Sequence, residues 1–303
     1  MKILIFGAGA IGLFTAGHCA RLGHQTKLIT RTPDQSEQIR QFGVSVESQT
    51  GAFTQKIEAE SAMALSESIT NDVDLMINAV KQTSISEWLE QVEPYIDGKT
   101  KERVPILFLQ NGMGHVEQAI RHGFVRSYPA IVTHGVLKHT STKVEHTGRG
   151  ALIVNSELGS LLINGLNDEP DFPVNQTDDV IGYQKKKLIV NAVVNPVTAI
   201  YGIRNGKMIE NEHVLSVGRS VFEEALPVLG LRMEDWDFVL DVIRKTSRNQ
   251  SSMKVDMDKG RRTEVDAILG FIIEEAQKRG LEVPVTENLL NKVHQMEKER
   301  GVR

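Results

Sequence analysis

An α/β fold, with an N-terminal doubly wound parallel sheet and an all-helical C-terminal domain, is predicted by three features of the chain. Short apolar runs alternate with helical stretches as far as Leu109. A glycine cluster stands between the first of those runs and the first helical stretch. Beyond Ile181 long helical patterns follow one another with almost no β signal.

Taken in order, Lys2–Phe6 reads as a short buried strand, Ala10–Leu22 as a helix and Gln25–Ile29 as the next strand, a βαβ start. Apolar strands near Val73–Ala79 and Val104–Leu109, with a helix over Ile85–Val92, continue the pattern of a parallel sheet with crossover helices. From about Ser127 the texture changes. Tyr128–Thr133, Lys143–His146, Ala151–Asn155 and Ser160–Asn164 are short strands spaced by Gly and Ser, read as an antiparallel extension of the sheet. Gly165–Asp179, rich in Asp, Asn and Pro, reads as a last loop and strand before a domain boundary. The expected domains are residues 1–178 and 179–303, and 303 residues suit two domains of medium size.

Composition narrows the function classes. With 35 basic against 39 acidic residues, a net charge of −4 and a pI near 6.2, there is no polycationic field to recruit nucleic acid or anionic lipid. The single cysteine, Cys19, can form no internal disulfide and no thiolate metal cage, so no metal site is expected and a reducing cytoplasm suits the chain. The apolar run after Lys2 is broken by Gly7, Gly9 and Gly12, and no later segment is apolar for long enough to span a bilayer. The expectation is a soluble cytoplasmic protein whose partner is a small molecule.

Gly7-Ala8-Gly9-Ala10-Ile11-Gly12 fits G-x-G-x-x-G between a strand and a helix, the phosphate loop of a Rossmann-type domain. Gly7 allows the tight turn, Gly9 lets backbone approach a diphosphate, and Gly12 lets helix and strand pack closely; the helix start offers unpaired N–H groups to an anion. The second strand ends at Ile29-Thr30-Arg31, where a guanidinium can pair with a ribose 2′-phosphate, so NADP is the expected cofactor. Asp34 is the competing candidate, for the ribose hydroxyl of NAD.

In the helical half, Lys187, Asn191 and Asn195 recur every four residues on one face of a stretch that is otherwise apolar almost all round. Such a face needs polar partners, because a buried amide without one costs about 1–3 kcal/mol. It either looks into a polar cleft, or Lys187 reaches out to solvent with Lys185 and Lys186 while the asparagines cap loops. Pro196 removes one helical hydrogen bond and should bend or loosen the helix there. Thr263 with Asp266 reads as a capping pair that puts Glu264 in a first helical turn, either as a site carboxylate or simply as a charge favourable to the dipole. Ser251-Ser252-Met253 lacks periodicity and reads as a loop.

Together these segments resemble the ketopantoate reductases, or 2-dehydropantoate 2-reductases, over nearly the whole chain. The resemblance is carried by the Gly7–Gly12 loop, Arg31, Val80-Lys81, Gln110-Asn111-Gly112, Thr133-His134-Gly135, the Lys187-x3-Asn191-x3-Asn195-Pro196 helix, Asn205-Gly206, Ser251-Ser252-Met253 and Thr263-Glu264-Val265-Asp266. It implies NADPH-dependent reduction of 2-dehydropantoate to (R)-pantoate, in pantothenate and coenzyme A synthesis. It further implies catalytic roles for Lys187, as proton donor, and for Glu264. Cofactor contacts would come from Gly7, Ala8, Gly9, Ala10, Ile11, Gly12, Arg31, Lys81, Asn111, Glu264 and the backbone of Val136. Substrate contacts would come from Asn111, Lys187, Asn191, Asn195, Asn205 and Ser252, in a site between the domains of a monomer or homodimer. The run Lys185–Lys187 raises a question of register, although only Lys187 keeps the four-residue spacing to Asn191. Two other readings are a reductase of a different branched 2-oxo acid and a dinucleotide-binding regulator without turnover.

Overall fold

The computed structural model describes residues 1–65, 72–158 and 170–303. They form two compact units: Met1–Gln110 with Gly114–Ile181, and Asn111–Met113 with Gly182–Arg303. The strand expected over Ser160–Asn164 lies outside the described residues.

In the first unit, β1 (Lys2–Phe6), α1 (Ala10–Arg21) and β2 (Gln25–Thr30) fall where the apolar runs and the glycine cluster put them. Next come α2 (Pro33–Phe42), the strands β3 (Val44–Ser48), β4 (Gly51–Gln55) and β5 (Glu58–Ser61), then β6 (Leu75–Asn78), α3 (Ile85–Val92), α4 (Gly98–Arg103), β7 (Ile106–Phe108), α5 (His115–Arg121) and β8 (Ser127–Pro129). Six of these strands pair in parallel in the order β5-β2-β1-β6-β7-β8. Counted among themselves along the chain, that is 3-2-1-4-5-6, the doubly wound order of dinucleotide-binding folds. Both faces are covered. Ile3 and Ile5 of β1 pack into one apolar cluster with α1, whereas Leu4 and Phe6 pack into another with Trp88 and Leu89 of α3.

The strands after Pro129 enter two smaller sheets, one of which they share with β3 and β4. These strands are β9 (Ile131–Val132), β10 (Gly135–Lys138), β11 (Lys143–Gly148), β12 (Leu152–Asn155) and β13 (Val174–Thr177). One has the order β10-β11-β3-β4 and the other β13-β12-β9. Pairing is antiparallel at β10–β11, β3–β4 and β12–β9, and parallel at β11–β3 and β12–β13.

The regular elements described in the second unit are all helices, α6 (Val180–Tyr201), α7 (Glu212–Leu229), α8 (Asp235–Lys245), α9 (Ser252–Asp258), α10 (Phe271–Lys278) and α11 (Pro284–Glu299). Its core gathers Leu188, Val193 and Val197 of α6 with Val221 and Phe222 of α7 and Val293 of α11. The unpaired N–H groups at the start of α11 are met by a carboxylate from another helix: Val285 N and Thr286 N each donate to Glu224, at 2.8 Å. No helix among the described residues is long and apolar enough to cross a membrane.

The first unit buries several histidines in the neutral form. His18 is stacked on Phe172 and His115 lies beside Phe108, while His134 Nδ1 and His146 Nε2 are hydrogen-bonded at 3.0 Å. Burial lowers the pKa of His18 to about 3 and those of His115 and His134 to about 4, from 6.5. An unfolded chain takes up these protons below pH 6.5 and the folded chain does not, so falling pH favours unfolding. Denaturant titrations are therefore expected to show stability falling between about pH 6.5 and pH 4, by about 1.4 kcal/mol per pH unit for each proton taken up. His115→Leu should flatten that slope, and equal stability of the parent at about pH 7 and pH 5 contradicts the assignment.

Candidate active site

The glycine loop is built by three different constraints. Gly7 has φ +96°, and a Cβ there would come 2.7 Å from Val80 N. A Cβ at Gly12 would sit 1.8 Å from the carbonyl oxygen of Gly7, so only glycine lets α1 start this close to the turn. Around Gly9, which is the N-cap of α1, a Cβ would meet nothing within 4 Å. The exposed backbone at Gly9 thus leaves room for a large anion to reach the helix start, and the loop fits a dinucleotide diphosphate.

Arg31 is exposed at the end of β2, and its carbonyl accepts from Ser61 Oγ at 3.4 Å. Lys81 follows β6 and is also exposed; the turn that carries it is held by Gln110, whose Nε2 donates to Asn78 Oδ1 at 2.7 Å and to Val80 O at 2.9 Å. Val136 lies half-buried on β10.

In the second unit, Lys187, Asn191 and Asn195 project from α6, which stays helical through Pro196 to Tyr201. Lys187 and Asn191 are half-buried and Asn195 is buried. Lys186 and Lys187 differ in their surroundings. Lys186 pairs with Asp235 at 3.8 Å and lies over the Phe238 ring, on the exterior. Burial lowers the pKa of Lys187 to about 8, and the carboxylate charge of Glu264 opposes that shift.

Glu264 Oε2 in turn accepts from Asn111 Nδ2 at 3.1 Å, which joins the segment after β7 to the start of the helix that follows Thr263. Gly112 has φ +84°, and a Cβ there would lie 2.4 Å from the carbonyl of Ala267, which explains the glycine after Asn111. Ala267 belongs to a π-helical turn over Asp266–Gly270, a local widening common at functional sites.

Two local readings are corrected. Ser251 is not in a plain loop: it caps α9, its Oγ accepting from Lys254 N at 3.2 Å, and α9 begins at Ser252. Nor do Thr263 and Asp266 form a capping box. The Thr263 N–H donates to the buried Glu297 at 2.7 Å, while Asp266 is drawn off to His294, at 2.7 Å, and to Arg303. Stronger charged partners from α11 and the chain beyond it outcompete a backbone N–H for that carboxylate.

Ser252 is exposed, 3.5 Å from Asn195 Nδ2. Asn205 is buried and its Nδ2 donates to Thr246 Oγ1 at 3.0 Å. Thr246 Oγ1 is itself 2.7 Å from Val242 O, so its only proton is committed and it must accept from the amide. Asn205 Oδ1 is left as an acceptor with no partner among the described residues.

Three supporting residues went unnoticed in the sequence. Thr198 continues the polar face of α6 by three residues and hydrogen-bonds Ser251 Oγ at 2.7 Å, which ties α9 to that face. Glu297 follows Leu289 and Val293 on the buried side of α11, a charge on an apolar stripe, and that spacing was a usable signal. Thr246 gave no signal.

Residues 3–157 match the family model described as ketopantoate reductase PanE/ApbA, and residues 179–297 match its C-terminal counterpart. The 2-dehydropantoate 2-reductase of Bacillus subtilis is 34% identical over 308 residues, covering 98% of each chain. That of Listeria innocua is 32% identical, covering 100% of this chain and 99% of its own. Among solved structures, panE of Bacillus subtilis superposes with a TM-score of 0.84 at 32% identity, covering 98% of this chain and all of its own. A PanE/ApbA family ketopantoate reductase from Ralstonia eutropha JMP134 gives 0.89 at 27% identity, covering 99% and 100%. A dinucleotide loop on a 3-2-1-4-5-6 sheet, followed by helices bearing an aligned lysine and asparagines, is thus accompanied by similarity along both units, and the chain belongs to the ketopantoate reductase family.

Proposed function

We propose that the protein reduces 2-dehydropantoate to (R)-pantoate with NADPH, in pantothenate and coenzyme A synthesis. The observation that carries this reading is Lys187, a half-buried ammonium with its pKa lowered to about 8, on one helix face with Asn191 and Asn195. Relatives along the whole chain that are named 2-dehydropantoate 2-reductases support it. Bound NADPH supplies the hydride that reaches the carbonyl carbon. Arg31, followed by no acidic residue before Asp34, favours the cofactor that carries a 2′-phosphate.

Reduction leaves negative charge on the ketone oxygen, and Lys187 stabilises that charge and then donates its proton. A pKa near 8 keeps the ammonium protonated at neutral pH yet makes it a far better acid than an ordinary lysine at 10.5. Glu264 has two tasks: its charge keeps Lys187 from losing its proton too early, and its Oε2 fixes the Asn111 amide. Asn191, Asn195 and Ser252 hold the substrate by directional hydrogen bonds. Asn205 Oδ1, an acceptor that awaits a donor, suits the hydroxyl of the substrate and disfavours oxo acids without one. The net charge of −4 fits a small-molecule enzyme of the cytoplasm, monomeric or homodimeric, with no nucleic-acid or membrane partner.

The direct test follows NADPH absorbance with a panel of 2-oxo acids. Ketopantoate should be preferred; preference for another branched oxo acid would reassign the substrate, and no oxidation with any of them would point to a regulator. Lys187→Ala should lower kcat by at least about two decades while NADPH still binds, and Lys186→Ala, changed at the Asp235 surface, should stay near the parent. The parent kcat for reduction should decline as pH rises through about 8, because the acid must be protonated, and oxidation of pantoate should gain over the same range. Loss of turnover in Lys186→Ala but not in Lys187→Ala would shift the assignment by one residue.

Arg31→Ala should weaken NADPH by about 1.5–3 kcal/mol in a direct binding titration and leave NADH nearly unchanged. Equal losses for both cofactors would remove Arg31 from the 2′-phosphate.

A further inference from the structure

The hairpin β10–β11 brings a lysine to the glycine loop. Lys138 Nζ donates to the carbonyl oxygen of Ala8 at 2.7 Å. The same carbonyl accepts from Gln35 Nε2 at 3.0 Å, and Gln35 also donates to Ser141 O, at 2.8 Å, in the hairpin turn. Ala8 thus receives a charged and a neutral donor from two different elements, one residue before the N-cap of α1.

Lys138 is half-buried and forms no ion pair among the described residues. Lys143 and Lys27 of the same unit, by contrast, pair with carboxylates, Glu47 at 2.6 Å and Glu60 at 2.7 Å, whereas Lys56, like Lys138, donates to a backbone carbonyl, that of Gln41. Burial lowers the pKa of Lys138, as expected of an ammonium whose partner is a neutral carbonyl. Two of its three protons remain beyond the bond to Ala8. A carbonyl at the edge of an anion site presents partial negative charge where an anion must come, and the two donors offset it. Lys138 also shares a strand face with Val136, since side chains two apart on a strand point the same way.

We propose that Lys138 is a cofactor-binding residue, whose ammonium supplies positive charge to the dinucleotide diphosphate at the Gly7–Gly12 loop while holding the Ala8 carbonyl in place. The assignment rests on the dinucleotide reading of that loop. The diphosphate is common to NADPH and NADH, so Lys138 acts on both, unlike Arg31.

The test is the Kd of each cofactor, measured by calorimetry on the purified enzyme at two salt concentrations. Lys138→Gln keeps a donor for Ala8 and removes the charge; Lys138→Met removes both; Lys138→Arg keeps both. Lys138→Gln and Lys138→Met should weaken NADPH and NADH alike, by roughly tenfold at low salt and less at high salt. Lys138→Arg should bind within about threefold of the parent, and Lys143→Gln, a charge removed from the same hairpin, should bind as the parent does. Parental affinity in Lys138→Gln would reduce Lys138 to a structural peg and overturn the proposal, as would a loss confined to NADPH. Should Lys138→Met fail to fold, the contrast of Gln with Arg decides. A parent that binds neither cofactor overturns the dinucleotide reading, and this assignment with it.

Discussion

A half-buried ammonium beside an apolar bundle is driven toward its neutral form unless a charge opposes it, and at Lys187 the carboxylate of Glu264 supplies that charge. Burial lowers the lysine pKa toward 8, and the carboxylate opposes the shift. Much of the surrounding architecture serves to keep Glu264 where its charge acts. The Thr263 N–H is held by Glu297 at 2.7 Å, Arg303 Nε lies 2.9 Å from the same carboxylate, and Gly112 leaves space for the π-helical turn that follows Glu264. The far end of the polar face is secured independently, through Thr198 to the cap of α9.

The dinucleotide loop answers a different constraint. It must present backbone N–H groups to a large anion while keeping carbonyl oxygens and Cβ atoms out of the way. Gly7 and Gly12 are fixed by packing of the loop on itself and on the end of β6, and Gly9 is the position where open space remains. The Ala8 carbonyl, which glycine spacing cannot remove, is taken up by Lys138 and Gln35. The glycine motif is therefore supplemented by side chains from two elements outside it, Lys138 of the β10–β11 hairpin and Gln35 of α2.

Legibility followed burial. β1, α1, β2 and α3 could be read to within about a residue, because their runs are apolar on account of burial and are bounded by glycine or polar residues. β3 and β4 went unread; they are short, and their polar, partly exposed residues carry little of the apolar signal that marks a core strand. In the site, the four-residue spacing of Lys187, Asn191 and Asn195 was visible because helix geometry is local. The partners of Glu264 were not, since Asn111 lies 153 positions away in sequence and only the fold brings the two together. The capping box misled for a related reason: local hydrogen bonding was outcompeted by Glu297, His294 and Arg303, charged groups from a distant helix and the chain beyond it.

The acid role proposed for Lys187 depends on its tuning by burial and by Glu264, which titration of its ammonium by NMR in the folded protein reads out. The expected pKa is near 8, falling further in Glu264→Gln because the opposing charge is lost. A value near the ordinary 10.5, unmoved by that substitution, would contradict it.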